Sequence, residues 1–394
     1  MRSRKIIKKF LQLTAILLLL VFAFPATAFL LLQSSRIQTK LANRIMEYVS
    51  EDLNTKFTIG KIDIAFLYRI RLNDVYLEDL AGDTLLYTKS LTAGIKYINP
   101  LAHAISIGSI NLDHAVVGLA IDSARNLNLQ YFIEKLQGNG KKEGGWEVLF
   151  NNIRLKDSRF YLSNYYRETV DHGINFTDLQ ITGMDADIKR FKPSKDSLSF
   201  YIKSLQFREN SGFVLNKLTG AFSQGKKFLS FRDVSIQTPE SHIEGNEISL
   251  RFSDWGKFKA DSFMQFVRLR VGLSNSRINL SDVGYFVPAL YNTNQPIQFS
   301  GEVTGPVNNL KGKKLEIGVA GNTLLKGELN LEGLPVFRET FIYANIREFT
   351  TTANDLKTLT LPGQRTLKIP EQLNKMGLIS YEGKFTGFFD DFVA

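Results

Sequence analysis

Asp171-His172 sets a carboxylate beside an imidazole, two of the three groups that a nucleophilic serine requires. No serine stands in a nucleophile-elbow context anywhere in the chain, so the pair reads as a surface turn. Asp185-Ala186-Asp187 would place two carboxylates on one face of a strand, and Glu78-Asp79 would sit near a turn. A calcium site needs six or more oxygens, and no loop gathers them. The Gly-Lys pairs at Gly60-Lys61, Gly225-Lys226, Gly256-Lys257 and Gly312-Lys313 lack the flanking glycine of a phosphate loop and read as turns. Cysteine is absent and only four histidines occur, which removes thiol nucleophiles, disulfides and cysteine-based metal or iron–sulfur sites. The reading is of a protein that is not an enzyme and uses no metal or cofactor.

Charge and composition point elsewhere. The net charge is +10, but Arg2, Arg4, Lys5, Lys8 and Lys9 supply five of those charges, leaving +5 over the rest with acids interleaved throughout. No stripe tracks a phosphate backbone, so nucleic acid is not expected as a partner, and a basic surface near anionic lipid fits instead. Apolar residues make up 44% and charged residues 22% of 394, which excludes a disordered or collagen-like chain. Thirty Phe and fourteen Tyr favour strands.

Behind the basic cluster, Phe10 to Leu32 run 23 residues without a charge, with Leu17, Leu18, Leu19, Leu20, Phe22, Phe24, Leu30, Leu31 and Leu32 as the apolar body. As a helix that is roughly 34 Å, enough for a hydrocarbon core of about 30 Å. The flanking positive charge predicts a cytoplasmic tail at 1–9, an anchor at 10–32 and export of everything after it. The competing reading is a cleaved signal peptide, because Ala26-Thr27-Ala28 resembles a cleavage site. Against it, Phe29 to Leu32 continue the apolar run past that point.

Residues 33–56 read as an amphipathic helix, with Ile37, Leu41, Ile45, Tyr48, Val49 and Leu53 at helical spacing. A second helix is predicted over Leu127–Leu136, a flexible loop over 138–145, and a third helix from an N-cap at Ser281 to about Leu290. From Phe57 the period drops to two, the alternation of half-buried antiparallel strands. Roughly 25 to 30 short strands are expected over 57–394, more than an open sheet holds without curling. That sheet is expected to extend on the order of 120 to 140 Å at about 4.8 Å per strand. Phe299-Ser300-Gly301-Glu302-Val303-Thr304-Gly305 is echoed by Tyr381-Glu382-Gly383-Lys384-Phe385-Thr386-Gly387, and repeating hairpins imply an extended architecture. Gly383 to Ala394 break off inside such a repeat, which predicts a longer protein.

The expected fold is mainly β: a transmembrane helix, then a long, curled antiparallel sheet forming an open groove, with a few short helices. Alternation places Ile62, Ile64, Phe66, Ile110, Leu112, Val271, Leu273, Leu315, Ile317, Val319, Leu329 and Leu331 on its apolar inner face. In a closed barrel that face would be core. In an open curl it would bind acyl chains.

The anchor, the segment Ile37–Leu53 and Phe57-Thr58-Ile59-Gly60-Lys61-Ile62-Asp63-Ile64 resemble the start of AsmA-like proteins. Leu72-Asn73-Asp74-Val75-Tyr76-Leu77-Glu78-Asp79, followed by Gly82-Asp83-Thr84-Leu85-Leu86-Tyr87, resembles the TamB branch, the inner-membrane component of the translocation and assembly module. Gly301 to Leu310 and Leu325 to Leu334 are similar to the same branch. The resemblance implies a single-pass inner-membrane protein with a long periplasmic β-groove, moving phospholipid to the outer membrane. It also implies assistance to outer-membrane protein assembly with a barrel partner of the TamA or BamA kind. The carboxy-terminal region that would meet that barrel is missing from this chain. The alternative to lipid transport is therefore an assembly factor that adds unfolded strands to the groove rims.

Overall fold

A computed structural model describes residue 27 and residues 34–65, 69–99, 104–137, 147–166, 170–194, 196–258, 260–319, 321–361, 365–366, 369–388 and 391–393. The basic cluster, the anchor apart from residue 27, Phe66 and the loop 138–145 lie outside the described residues. Among the described residues no helix is long and apolar enough to cross a membrane. The chain divides into two units, Met1–Phe150 and Asn151–Ala394.

The first unit holds helix α1 (Ser35–Leu53), strands β1 (Phe57–Ala65), β2 (Arg69–Glu78), β3 (Thr84–Asn99) and β4 (Ala104–Ile121), helix α2 (Asn128–Gln137) and β5 (Glu147–Phe150). Strands β1 to β4 form an antiparallel meander, and β5 runs parallel to the start of β4. Helix α1 ends where Asn54 turns left-handed and its N–H reaches back to the carbonyls of Ser50 and Glu51. Its buried edge is Ala42 with Leu41, Ile45 and Met46, packed on Ile59, Ile62, Ile64, Ile70 and Leu72. Tyr48, expected on that edge, is exposed instead. The reason is helical spacing: Leu41, Ala42, Ile45 and Met46 form an i, i+1, i+4, i+5 edge, and position 48 falls outside it.

The second unit is a longer meander. It contains β6 (Ile153–Asn164), β7 (Asp178–Ser194), β8 (Ser197–Glu209), β9 (Val214–Gly225), β10 (Phe228–Gln237), β11 (His242–Arg251), α3 (Ala260–Phe266), β12 (Arg268–Asn279) and α4 (Leu280–Gly284). There follow β13 (Pro296–Pro306), β14 (Asn309–Val319), β15 (Thr323–Glu332), β16 (Phe341–Thr352), α5 (Ala353–Thr358), β17 (Thr360–Leu361), β18 (Arg365–Thr366), β19 (Leu378–Phe388) and β20 (Asp391–Val393). Strands β6 to β16 pair antiparallel in chain order, and β19 takes the next place beside β16, followed by β20. Strands β17 and β18 form a separate two-stranded ladder. The predicted third helix is short: Asn279, not Ser281, is its N-cap, accepting from the Ser281 N–H, and α4 ends at Gly284 before a 3-10 turn at Pro288–Leu290.

Twenty strands are named among the described residues, fewer than the 25 to 30 expected from sequence. The strands are longer than expected: β3, β4 and β7 have 16, 18 and 17 residues. Polar residues that read as breaks lie inside strands as bulges. Asp74, His114, Asp157, Asp233, Asn275 and Lys314, on β2, β4, β6, β10, β12 and β14, all have positive φ. Asp and Asn tolerate that conformation best, and they hold four of the six positions. At each bulge the inward residue is followed by another inward residue three positions on. Leu72 leads to Val75, Leu112 to Ala115, Leu155 to Ser158, Phe231 to Val234, Leu273 to Ser276 and Gly312 to Leu315, and the second member is buried every time. Register shifts between Ile202 and Leu205 on β8, and between Ile346 and Phe349 on β16, complete the series. A bulge on every second strand increases local twist and bends each hairpin at the same level.

Candidate functional site: one apolar face across successive strands

Directly paired residues of antiparallel strands share a face, so the registers can be followed from strand to strand. In the second unit one such row begins Phe200, Phe222, Phe231, Ile248 and Val271. It continues through Val303, Gly312, Leu329, Ala344 and Phe385. Ten consecutive strands contribute and no position is polar. Shifted by one residue, the row on the opposite face reads Ser199, Ser223, Ser230, Ser249, Arg270 and then Thr304, Lys311, Asn330, Tyr343, Thr386. Every position there carries a polar group.

Beside the apolar row runs a second one in which bulky residues and glycine alternate by strand. Val234 faces Gly245, Leu273 faces Gly245 and Gly301, Leu315 faces Gly327, and Ile346 faces Gly327 and Gly383. Glycine is required because each bulky neighbour lies over the next backbone. A Cβ at Gly245 would come within 2.9 Å of Val234 Cγ1, and one at Gly301 within 2.9 Å of Leu315 Cδ2. The repeat read at Phe299–Gly305 and Tyr381–Gly387 follows from this register. Phe299 and Tyr381 lie in a third row with Ile317, Leu325 and Phe349, while Gly301 and Gly383 occupy the glycine row.

The residues predicted for the inner face fall as follows. Val271 and Leu329 are in the ten-strand row, Leu273 and Leu315 in the glycine row, and Ile317 in the third. Val319 pairs with Ile297 and Thr323, and Leu331 with Leu310 and Ile342, on the same face. In the first unit Ile62, Leu72, Leu91 and Leu112 form one row, and Ile64, Ile70, Ala93 and Ile110 the next. Ile62 is a correction: it is 2% exposed beneath α1 and belongs to the core there, as Leu315 at 3% belongs to the packing over glycine. The other described members are half-buried. A sealed core would bury them and a flat sheet would expose them. Sequence reasoning missed the aromatic part of the row. Phe191, Phe200, Phe222 and Phe231 form a ladder with ring centroids 6.0, 4.7 and 4.9 Å apart. Their separate alternations were legible, but their alignment depends on pairing between strands.

The polar face is organised by cross-strand charge. Lys326 stands between Glu316 and Glu348 at 3.8 and 3.1 Å, and hydrogen bonding to Glu348 with the charge of both acids raises its pKa. Asp187 is held by Lys189 at 2.8 Å, Arg154 at 3.6 Å and Lys203 at 3.8 Å. Burial pushes its carboxyl up, but the bond and charge of Lys189, with Arg154 and Lys203, outweigh that and leave it below its ordinary value. Its neighbour Asp185 braces the β6 bulge by accepting from the Asp157 N–H and the Gln206 amide. Asp79 accepts from the Ala81 and Asp83 N–H groups and from the Asn128 amide, bracing a turn. His172 stacks on Tyr291 at 4.2 Å. Among the described residues no cluster of three or more metal-ligating side chains occurs. Comparison with protein-family models and with curated proteins gives no match.

Proposed function

We propose that this chain is an inner-membrane-anchored periplasmic protein of the AsmA-like kind, close to the TamB branch, whose apolar face is an open groove for phospholipid acyl chains. The observation that carries the reading is the ten-strand row, apolar at every position and backed by a polar one. At about 4.8 Å per strand it extends roughly 43 Å, against about 30 Å for the two leaflets of a hydrocarbon core. That is too long for a pocket holding one lipid and suits passage of chains from site to site. Each buried methylene contributes about 0.8 kcal/mol, and the row offers apolar contact on every strand, richest at Phe200, Phe222 and Phe231 and thinnest at Gly312 and Ala344, with no polar position to interrupt it. Half-burial keeps the face reachable from water while its flanks shelter the chain. The uncharged span at 10–32 and its basic flank support the anchor and the export of the rest.

Assembly by strand addition at the rims is the other role the resemblance implies, with a barrel of the TamA or BamA kind as partner. At β1 that edge is partly occupied: the Ser50 hydroxyl bonds both the N–H and the carbonyl of Phe57, and Met46 sulfur accepts from the Ile59 N–H. The lipid reading is tested by mass spectrometry of what co-purifies with the exported part when no detergent is used. Two-chain phospholipids are the expected finding, and a lipid-free preparation with bound unfolded polypeptide would transfer the case to strand addition.

A further inference from the structure

In the second unit the ten-strand row keeps a fixed distance from one end of the strands. Phe222 stands three residues before Gly225 and Phe231 three after Phe228, on the two sides of the β9–β10 turn. Ile248 stands three before Arg251, the last residue of β11, and Val271 three after Arg268, the first of β12. Three residues of strand are roughly 10 Å. Arg251 and Arg268 are direct cross-strand partners, which sets their Cβ atoms about 4.5–5.5 Å apart on the polar face. Arg270, two residues along β12, shares that face. Lys227 joins them, because its carbonyl accepts from the Phe252 N–H at 3.0 Å and ties the β9–β10 turn to the end of β11. All four cations are exposed, and no ion pair joins any of them to an acid among the described residues. The acids nearby are engaged elsewhere. Glu247 lies opposite Arg232 and accepts from the Ser249 hydroxyl at 2.8 Å, and Asp254 accepts from the Ser253 hydroxyl and the Gly256 N–H. Lys226 is already paired with Asp196 at 3.0 Å. At Lys326 opposite charges meet across strands, whereas here like charge meets like, an arrangement that costs free energy and that an anion between the two guanidinium groups relieves.

We propose that this corner holds the phosphate of a phospholipid whose acyl chains lie on the ten-strand row, and that it favours anionic over zwitterionic headgroups. The inference rests on the lipid reading above. Guanidinium groups present paired N–H donors that match phosphate oxygens, a fit that a lysine does not reproduce. Arginine stems lie along apolar surface and carry their charged heads past its edge, so Arg251 and Arg268 can meet a headgroup leaving the row at this end. The charge of the headgroup then decides. Phosphatidylglycerol brings an uncompensated negative charge to four cations, whereas phosphatidylcholine carries its own cation beside its phosphate and is repelled there. Free phosphate shares the anion chemistry. What favours the lipid is the apolar row only three residues away, with the Phe228 ring, 40% exposed, directly opposite Arg251. The corner spans β10 to β12 alone, so it is one station on the row, where the headgroup is read as the chains lie alongside.

The full chain, with a photo-crosslinking amino acid at Ile248, is reconstituted in vesicles of phosphatidylcholine and phosphatidylglycerol in equal amounts, and the lipid in each adduct is identified by mass. The corner predicts phosphatidylglycerol adducts in about fivefold excess, the scale of an exposed charge interaction, falling to parity in Arg251→Gln/Arg268→Gln. Arg251→Lys/Arg268→Lys should keep only part of the excess, since the charge remains and the fork is lost. Arg277→Gln, at the other end of β12 on the same face, should leave it unchanged. The glutamine pair should melt at the same temperature or higher, because a repulsion is removed, and a fall would make the arginines structural and overturn the proposal. Equal adducts of the two lipids with both arginines present, or an excess that survives both glutamines, would overturn it too. If inorganic phosphate shields Arg251 and Arg268 from phenylglyoxal and phosphatidylglycerol vesicles do not, the corner is a free-phosphate site and the headgroup assignment falls. Absence of any lipid adduct at Ile248 would remove the lipid reading itself.

Discussion

Leu315 and Ile317 stand two residues apart on one strand and face the same way, but they answer to different demands. Leu315 lies over the backbone at Gly301 and Gly312 and is 3% exposed. Leu315→Ala should therefore cost about 2–4 kcal/mol, read as a lowered midpoint in urea unfolding, and a change under about 1 kcal/mol would mean the glycine row is not tightly packed. Ile317 is half-buried on the open part of the face. Ile317→Asp should leave circular dichroism and the melting temperature nearly intact, because the new charge still reaches water, while lipid binding is lost. Unfolding of that variant would instead indicate a sealed interior. On the polar face, Asp187 ties three cations together and its pKa is lowered in the folded chain. A lowered pKa stabilises above the unfolded value of about 3.9 and loses that contribution as pH falls below it through the native value. Asp187→Asn should thus lower the melting temperature at pH 7 and narrow the difference towards pH 2. A gap of equal size at both pH values would show that its charge is not what matters.

At the scale of elements, the periods were legible and the pairings were not. Helix α1 and the start of β1 follow from the change of period near residue 55, and alternation alone places Ile62, Ile64, Ile110 and Leu112 on a common face, as the registers do. What alternation alone cannot supply is the step of three at each bulge, since Asp74, Asn275 or Asp233 looks like the end of a strand when read locally. On six of the eight bulged strands the signal reads as Leu, Phe or Gly, two polar residues with Asp, Asn, His or Lys second, and then a small or branched residue, while β8 (Ile202-Lys203-Ser204-Leu205) and β16 (Ile346-Arg347-Glu348-Phe349) depart from it. It repeats because each hairpin must bend at the same level. Gly301, at φ 138° and against the Leu315 side chain, is where that bend leaves no room for a side chain. Gly301→Ala should destabilise by more than about 1 kcal/mol, whereas Lys314→Gly, at φ 51°, should stabilise by up to about 1 kcal/mol. If both substitutions proved neutral by denaturant titration, the bulge series would not be a strained feature of the fold. The contact between two distant loops was beyond local reading altogether: the Ile174 N–H donates to the Tyr285 carbonyl, the two are 111 positions apart, and nothing in either segment names the other.

At the scale of the whole molecule, successive hairpins within each unit extend one apolar face and one polar face together, and the proposal is that the apolar one carries acyl chains. The side chain, not the strand edge, is then the functional group, which separates this reading from strand addition. The most direct measurement places a photo-crosslinking amino acid at Ile317 in one sample and at its chain neighbour Glu316, on the polar face, in another, with the full protein in its own membrane. The account predicts phospholipid adducts at Ile317 and none at Glu316. Equal adducts at the two positions, or polypeptide and no lipid at Ile317, would contradict it.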